Sequence, residues 1–147
     1  MSGPSVLLDI NILISGLVFS GGNEHSILRL VEDGEITLVL LGFVREEAER
    51  ILVERFAGYE ALLDVFLSKL IYVLVRWDEF EGVLPRCEGR VRDGKDAPVL
   101  AAIIASRLDF AVTGDRALRE DLRGYEEASG TKIYSSRQFL EEFSRQA

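Results

Sequence analysis

Five short runs of apolar and β-branched residues, each separated from the next by helix-spaced apolar positions, constrain this chain more than any other feature. The runs occupy residues 5–8, 36–41, 71–75, 110–113 and 132–134 and have the length and bounding turn residues of strands. Between them, Ile27, Leu28, Leu30 and Val31, then Val44, Ala48, Ile51 and Leu52, then Leu62, Leu63, Phe66 and Leu67, then Val99, Leu100, Ile103 and Ile104 follow, at least in part, the spacing of an amphipathic helix. Strand and helix alternate from end to end. This predicts an α/β fold with a mostly parallel sheet of about five strands and helices on both faces.

At 147 residues the chain is long enough for one core without staples. No repeat, low-complexity tract or composition step divides it, so a single domain over 1–147 is expected. Pro85, Gly89 and Gly94 break any long period between Asp78 and Lys95, which reads as an ordered connection. With 48% hydrophobic and 29% charged residues the balance is globular. No apolar stretch approaches the roughly 20 residues of a membrane span, and the start Met1-Ser2-Gly3-Pro4 has no basic leader. A cytoplasmic location is expected. Cys87, the single cysteine, excludes an internal disulfide or cysteine-based zinc cluster and reads as a small buried residue.

Seventeen basic and 25 acidic residues leave a net charge of −8. That argues against a module that coats nucleic acid through a basic face. A nucleic-acid role must be local and helped by metal, and the same acidity also suits a basic protein partner.

In open α/β sheets ligands sit at the carboxyl ends of the strands, where strand order reverses. Asp9 closes the first run, Asp115 follows the fourth, and Asp96 opens a helix after a loop, so the three can converge on one edge. Each alone has an ordinary explanation as a turn or helix-cap residue. Glu47 stands among other glutamates. At about 100° per residue it lies roughly 85° from the centre of the apolar stripe, against roughly 115° for Glu49, while Glu46 points away. Glu47 alone flanks the stripe. Carboxylates gathered this closely repel one another and call for a cation. Oxygen donors without clustered His or Cys suit Mg²⁺ or Mn²⁺. His25, in a helical stretch, reads as structural. Such a cluster suits phosphodiester hydrolysis, where bound metals activate water and hold the leaving oxygen.

The segments Leu7-Leu8-Asp9-Ile10-Asn11, Glu47-Ala48-Glu49-Arg50-Ile51-Leu52, Asp93-Gly94-Lys95-Asp96 and Thr113-Gly114-Asp115, in this order and over nearly the whole chain, resemble the PIN-domain family. The resemblance implies a three-layer α/β/α fold and a Mg²⁺- or Mn²⁺-dependent endoribonuclease that hydrolyses RNA with metal-activated water and leaves a 5′-phosphate. Its acidic quartet would be Asp9, Glu47, Asp96 and Asp115, supported by Asn11, Thr113 and Asp93. Many small members are toxins of toxin–antitoxin pairs, which implies an antitoxin partner and a homodimer. The family's helix bearing the glutamate often opens with Ser or Thr, where Leu41-Gly42-Phe43 stands here, and Ala117 replaces a polar residue found after the last acid in some members.

Arg90, Arg92, Lys95, Arg116 and Arg119 lie near Asp96 and Asp115 in sequence. Of these, Arg116 and Lys95 are the expected RNA contacts. A receiver domain fits poorly because the third run ends in Arg76-Trp77 instead of an acceptor aspartate, and an aspartate-nucleophile phosphatase because Asn11 stands where its second aspartate usually does. The remaining rival is a catalytically weak or inactive binding module of the same fold, acting through protein association. Tyr59, Leu62, Leu63, Phe66 and Trp77 are the apolar residues available to it.

Overall fold

The computed structural model describes residues 3–146, so Met1 and Ser2, on which the expectation about the chain start partly rests, and Ala147 lie outside the described residues. Its order is β1 (Ser5–Leu8), α1 (Ile10–Val18), α2 (Asn23–Glu32), β2 (Thr37–Leu41), α3 (Val44–Arg55), α4 (Glu60–Ser68), β3 (Val73–Val75), α5 (Trp77–Phe80), α6 (Leu84–Cys87), a 3₁₀ turn (Gly94–Asp96), α7 (Ala97–Ala105), β4 (Phe110–Val112), α8 (Arg116–Arg123), α9 (Glu126–Ser129), β5 (Lys132–Tyr134) and α10 (Ser136–Gln146).

All five strands pair in parallel in the order β3-β2-β1-β4-β5. Parallel pairing leaves the central strands covered on both faces, and Val6, Leu7, Leu8, Val39, Leu40, Ala111 and Val112 are all buried. On one side α1 packs on α2 and α3, and α10 on α2; on the other α7 packs on α5, α6 and α9. Right-handed crossovers place these groups on opposite faces of the sheet, which makes the expected three-layer α/β/α arrangement.

The third strand is shorter than the sequence suggests. β3 has a neighbour on one side only, pairs just Val73, Leu74 and Val75 with β2, and leaves Ile71 fully exposed. Of the helices with nine or more residues, two escape the reading of apolar period, α1 and α10. α1 continues the apolar run of β1 without a polar stripe, and its residues Ile12, Leu13, Ile14 and Gly16 are buried, so no amphipathic rhythm marks it. α10 carries Phe139, whose ring meets Phe110 edge-on at 5.2 Å and stacks with Phe143 at 5.7 Å. Pro85 sits in the first turn of α6, where its missing N–H costs nothing, so the connection after Asp78 holds short helices.

His25 Nδ1 lies 3.0 Å from the Gly16 carbonyl at the α1–α2 crossing, a structural role. Cys87 is buried, and that burial pushes its thiol upward. Of the five apolar residues named above, Leu63 and Phe66 are buried, while Tyr59, Leu62 and Trp77 stay exposed. Among the described residues no helix is long and apolar enough to cross a membrane.

Candidate functional site

Because β1 pairs with β2 on one side and β4 on the other, the strand order turns back at β1. The chain leaves β1 and β4 at the crevice the topology reserves for ligands. Asp9 follows β1 directly, Thr113 follows β4, Asp115 caps α8, Glu47 stands in the first turn of α3, and Asp96 ends the 3₁₀ turn before α7. These five line a single cleft of about 250 Å³ together with Asn11, Asp93 and Lys95. Arg116 does not line it.

The ordinary cap chemistry is present and leaves room for more. Asp9 Oδ1 accepts from the Ile10 amide at 2.8 Å, and its Oδ2 accepts from Thr113 Oγ1 at 2.7 Å. Asp115 Oδ1 accepts from the Leu118 amide at 3.1 Å, and the Asp115 amide donates to Thr113 Oγ1 at 3.2 Å. A carboxylate offers about four lone-pair sites, so one or two such bonds leave acceptor capacity facing the cleft.

Asp96 differs from both. It precedes α7 but makes no side-chain cap bond; Asp93 takes the cap role in this loop, its Oδ1 accepting from the Lys95 amide at 3.0 Å. Burial, then the charges of Asp9, Asp93, Asp115 and Asp121, push the Asp96 carboxyl up to about 6. Glu47 is half-buried where Glu46 and Glu49 are exposed, and Arg50 Nη2 stands 3.8 Å from its Oε1. Phe43 stands at the N-cap of α3 and makes no side-chain cap bond, as the absence of Ser or Thr there requires.

The cations divide by partner. Among the described residues Lys95 has no ion pair, and it lines the cleft. Arg116 pairs with Glu120 at 3.3 Å. Arg92 holds the loop onto α8 through Glu120 at 2.9 Å and Asp121 at 3.1 Å, and Arg119 Nη1 donates to the Thr113 carbonyl at 2.8 Å. The bracing by Arg92 and Arg119 was not readable from sequence, where both arginines looked like their exposed neighbours.

Oxygen-only donors fit a hard divalent cation, and its charge would relieve both the burial and the carboxylate repulsion that push Asp96 upward. As the side chains stand, no three His, Cys, Asp or Glu among the described residues are grouped closely enough to hold an ion.

A family model described as PIN domain matches residues 5–117. The chain belongs to the PIN-domain family. That match spans all four acids and strands β1 to β4. A solved structure of VapBC2 from Rickettsia felis, bound to a DNA fragment from their promoter, contains a chain that superposes on this PIN domain with a TM-score of 0.57 at 16% identity, covering 89% of this chain and 98% of that one. At that identity the likeness speaks for the fold. No curated protein matches this PIN domain in sequence.

Proposed function

We propose that this PIN domain is a divalent-cation-dependent endoribonuclease and the toxin of a type II toxin–antitoxin pair. The observation that carries the reading is the gathering of Asp9, Glu47, Asp96 and Asp115, from four separate elements, around one cleft at the switch point of the sheet. These four acids would hold Mg²⁺ or Mn²⁺. When bound, the cation supplies activation of water and neutralises charge on the phosphodiester.

The chain's own residues do the rest. Thr113 fixes Asp9 against Asp115, Asp93 shapes the loop that carries Asp96, and Asn11 offers a polar contact at the cleft wall. Lys95, which lines the cleft exposed and without an ion pair among the described residues, would meet a substrate phosphate. Arg116, outside the cleft and held by Glu120, would act at its rim. A net charge of −8 is compatible with an RNA substrate when bound cations dominate the local field.

The toxin assignment draws on the family resemblance and on the fold shared with a chain of VapBC2. It implies an antitoxin, a homodimer and a place in the cytoplasm. Exposed Leu62 and Val65 beside a shallow groove between α1, α2 and α4 support a protein partner, and would equally serve a binding module that has lost catalysis. Incubating the purified protein with single-stranded and hairpin RNA in Mn²⁺, Mg²⁺ or EDTA separates the two readings. Cation-dependent cleavage leaving 5′-phosphates is expected; absence of both cleavage and Mn²⁺ binding favours the binding module.

A further inference from the structure

The Thr113 carbonyl is a backbone acceptor that the sheet cannot satisfy. β4 ends at Val112, the Thr113 amide still donates to the Tyr134 carbonyl at 3.1 Å, and β5 ends there as the chain turns into α10. Thr113 is buried, so an unmatched carbonyl would be costly. Arg119 folds back from the second turn of α8 and fills the vacancy through its Nη1 at 2.8 Å. The same guanidinium has its Nε shut off from solvent with no protein partner, so the fold accepts an unmatched donor in order to keep the group there. With this bond every polar group of Thr113 is engaged. Its amide meets Tyr134, its carbonyl meets Arg119, and its hydroxyl donates to Asp9 and accepts from the Asp115 amide.

We propose that Arg119 is a positioning residue: by clamping the Thr113 carbonyl to α8 it fixes Thr113, and through it the relative placement of Asp9 and Asp115. This rests on the reading of those acids as a cation site, and Arg119 itself touches neither acid through any hydrogen bond or ion pair among the described residues. Its role differs from that of Arg116 three residues earlier, which points outward to Glu120.

Two measurements on Arg119→Met and Arg119→Gln test the proposal: Mn²⁺ affinity by calorimetry, and amide hydrogen exchange at Asp115 compared with Leu28 in the metal-free protein. Removal of a partner that orients a ligand lowers metal affinity about tenfold or more. Both variants are expected to show that loss, with protection falling at Asp115 and holding at Leu28 in α2. Having the two variants keeps the test decisive where one of them does not fold. Unchanged Mn²⁺ affinity in a folded variant, or an equal loss of protection at both amides, overturns the proposal. A wild-type protein that binds no Mn²⁺ removes the cation reading itself, and the Asp115 protection then decides the positioning role alone.

Discussion

Thr113 Oγ1 donates a 2.7 Å hydrogen bond to Asp9 Oδ2 across 104 residues of sequence, joining the ends of β1 and β4. The same hydroxyl accepts from the Asp115 amide, so one buried side chain sets the separation of two acids. Thr113→Val keeps the shape and removes both bonds. It should lower stability by about 1 kcal/mol and Mn²⁺ affinity about tenfold. Denaturant unfolding and calorimetry on the same preparation measure the two effects, and a Thr113→Val protein with wild-type Mn²⁺ affinity would show that the hydroxyl does not organise the site.

Asp96 makes the metal-free protein sensitive to pH. Its carboxyl titrates at about 6 in the fold against an ordinary 3.8, so the folded state holds the proton more tightly than the unfolded chain. The stability contributed by this group therefore falls as pH rises from about 4 through about 6 and stays lost above that. Asp96→Asn removes the penalty. With solvent screening discounting the shift, the variant should be more stable than wild type by on the order of 1 kcal/mol at pH 7.5, roughly 3 °C in Tm, and no more stable at pH 4. Melting curves in EDTA at the two pH values check it; a difference independent of pH would contradict the account.

Lys95 and Arg116 should separate in RNA binding. Lys95 lines the cleft without an ion pair among the described residues, whereas Arg116 is held by Glu120 at its edge. Lys95→Met should weaken RNA binding and reduce the slope of log Kd against log salt by about 0.7, the loss of one phosphate contact on a single strand, while leaving Mn²⁺ affinity unchanged. Arg116→Met should show the smaller effect. Fluorescence anisotropy over a salt series is the measurement, and the reverse ranking would move the phosphate path to the outer face of α8.

The α1–α2 crossing depends on Gly16. A Cβ there would lie 2.6 Å from Leu28 Cδ1 and 2.9 Å from the Glu24 carbonyl oxygen. Alanine would gain about 1 kcal/mol of helix propensity, but the backbone oxygen cannot rotate aside and overpacking costs about 1 to 3 kcal/mol. Gly16→Ala should come out less stable by about 1 kcal/mol, read as a lower midpoint in urea. A midpoint at or above the wild-type value would mean that the two helices slide apart without loss.

The ends of β1 and β4 were legible in the sequence because those two apolar runs close at a polar residue with a job: Asp9 directly after β1, and Thr113 at the end of the run that holds β4. Glu47 was legible because helical period distinguishes it from Glu46 and Glu49, and it is the half-buried one of the three. α1 was not, since its apolar residues are buried nearly all round and carry no period. The division of labour between Asp93 and Asp96 was also hidden, because both sit in a loop where either can cap. So were the bracing roles of Arg92 and Arg119, which depend on contacts that no local spacing encodes.

The central claim is that Asp9, Glu47, Asp96 and Asp115 serve one cation site. Its most direct test is Mn²⁺ titration by calorimetry into the wild-type protein and into Asp9→Asn, Asp96→Asn and Asp115→Asn, each checked for folding. The account predicts binding to the wild type and a loss of tenfold or more in every variant; Mn²⁺ binding that survives all three substitutions unchanged would contradict it.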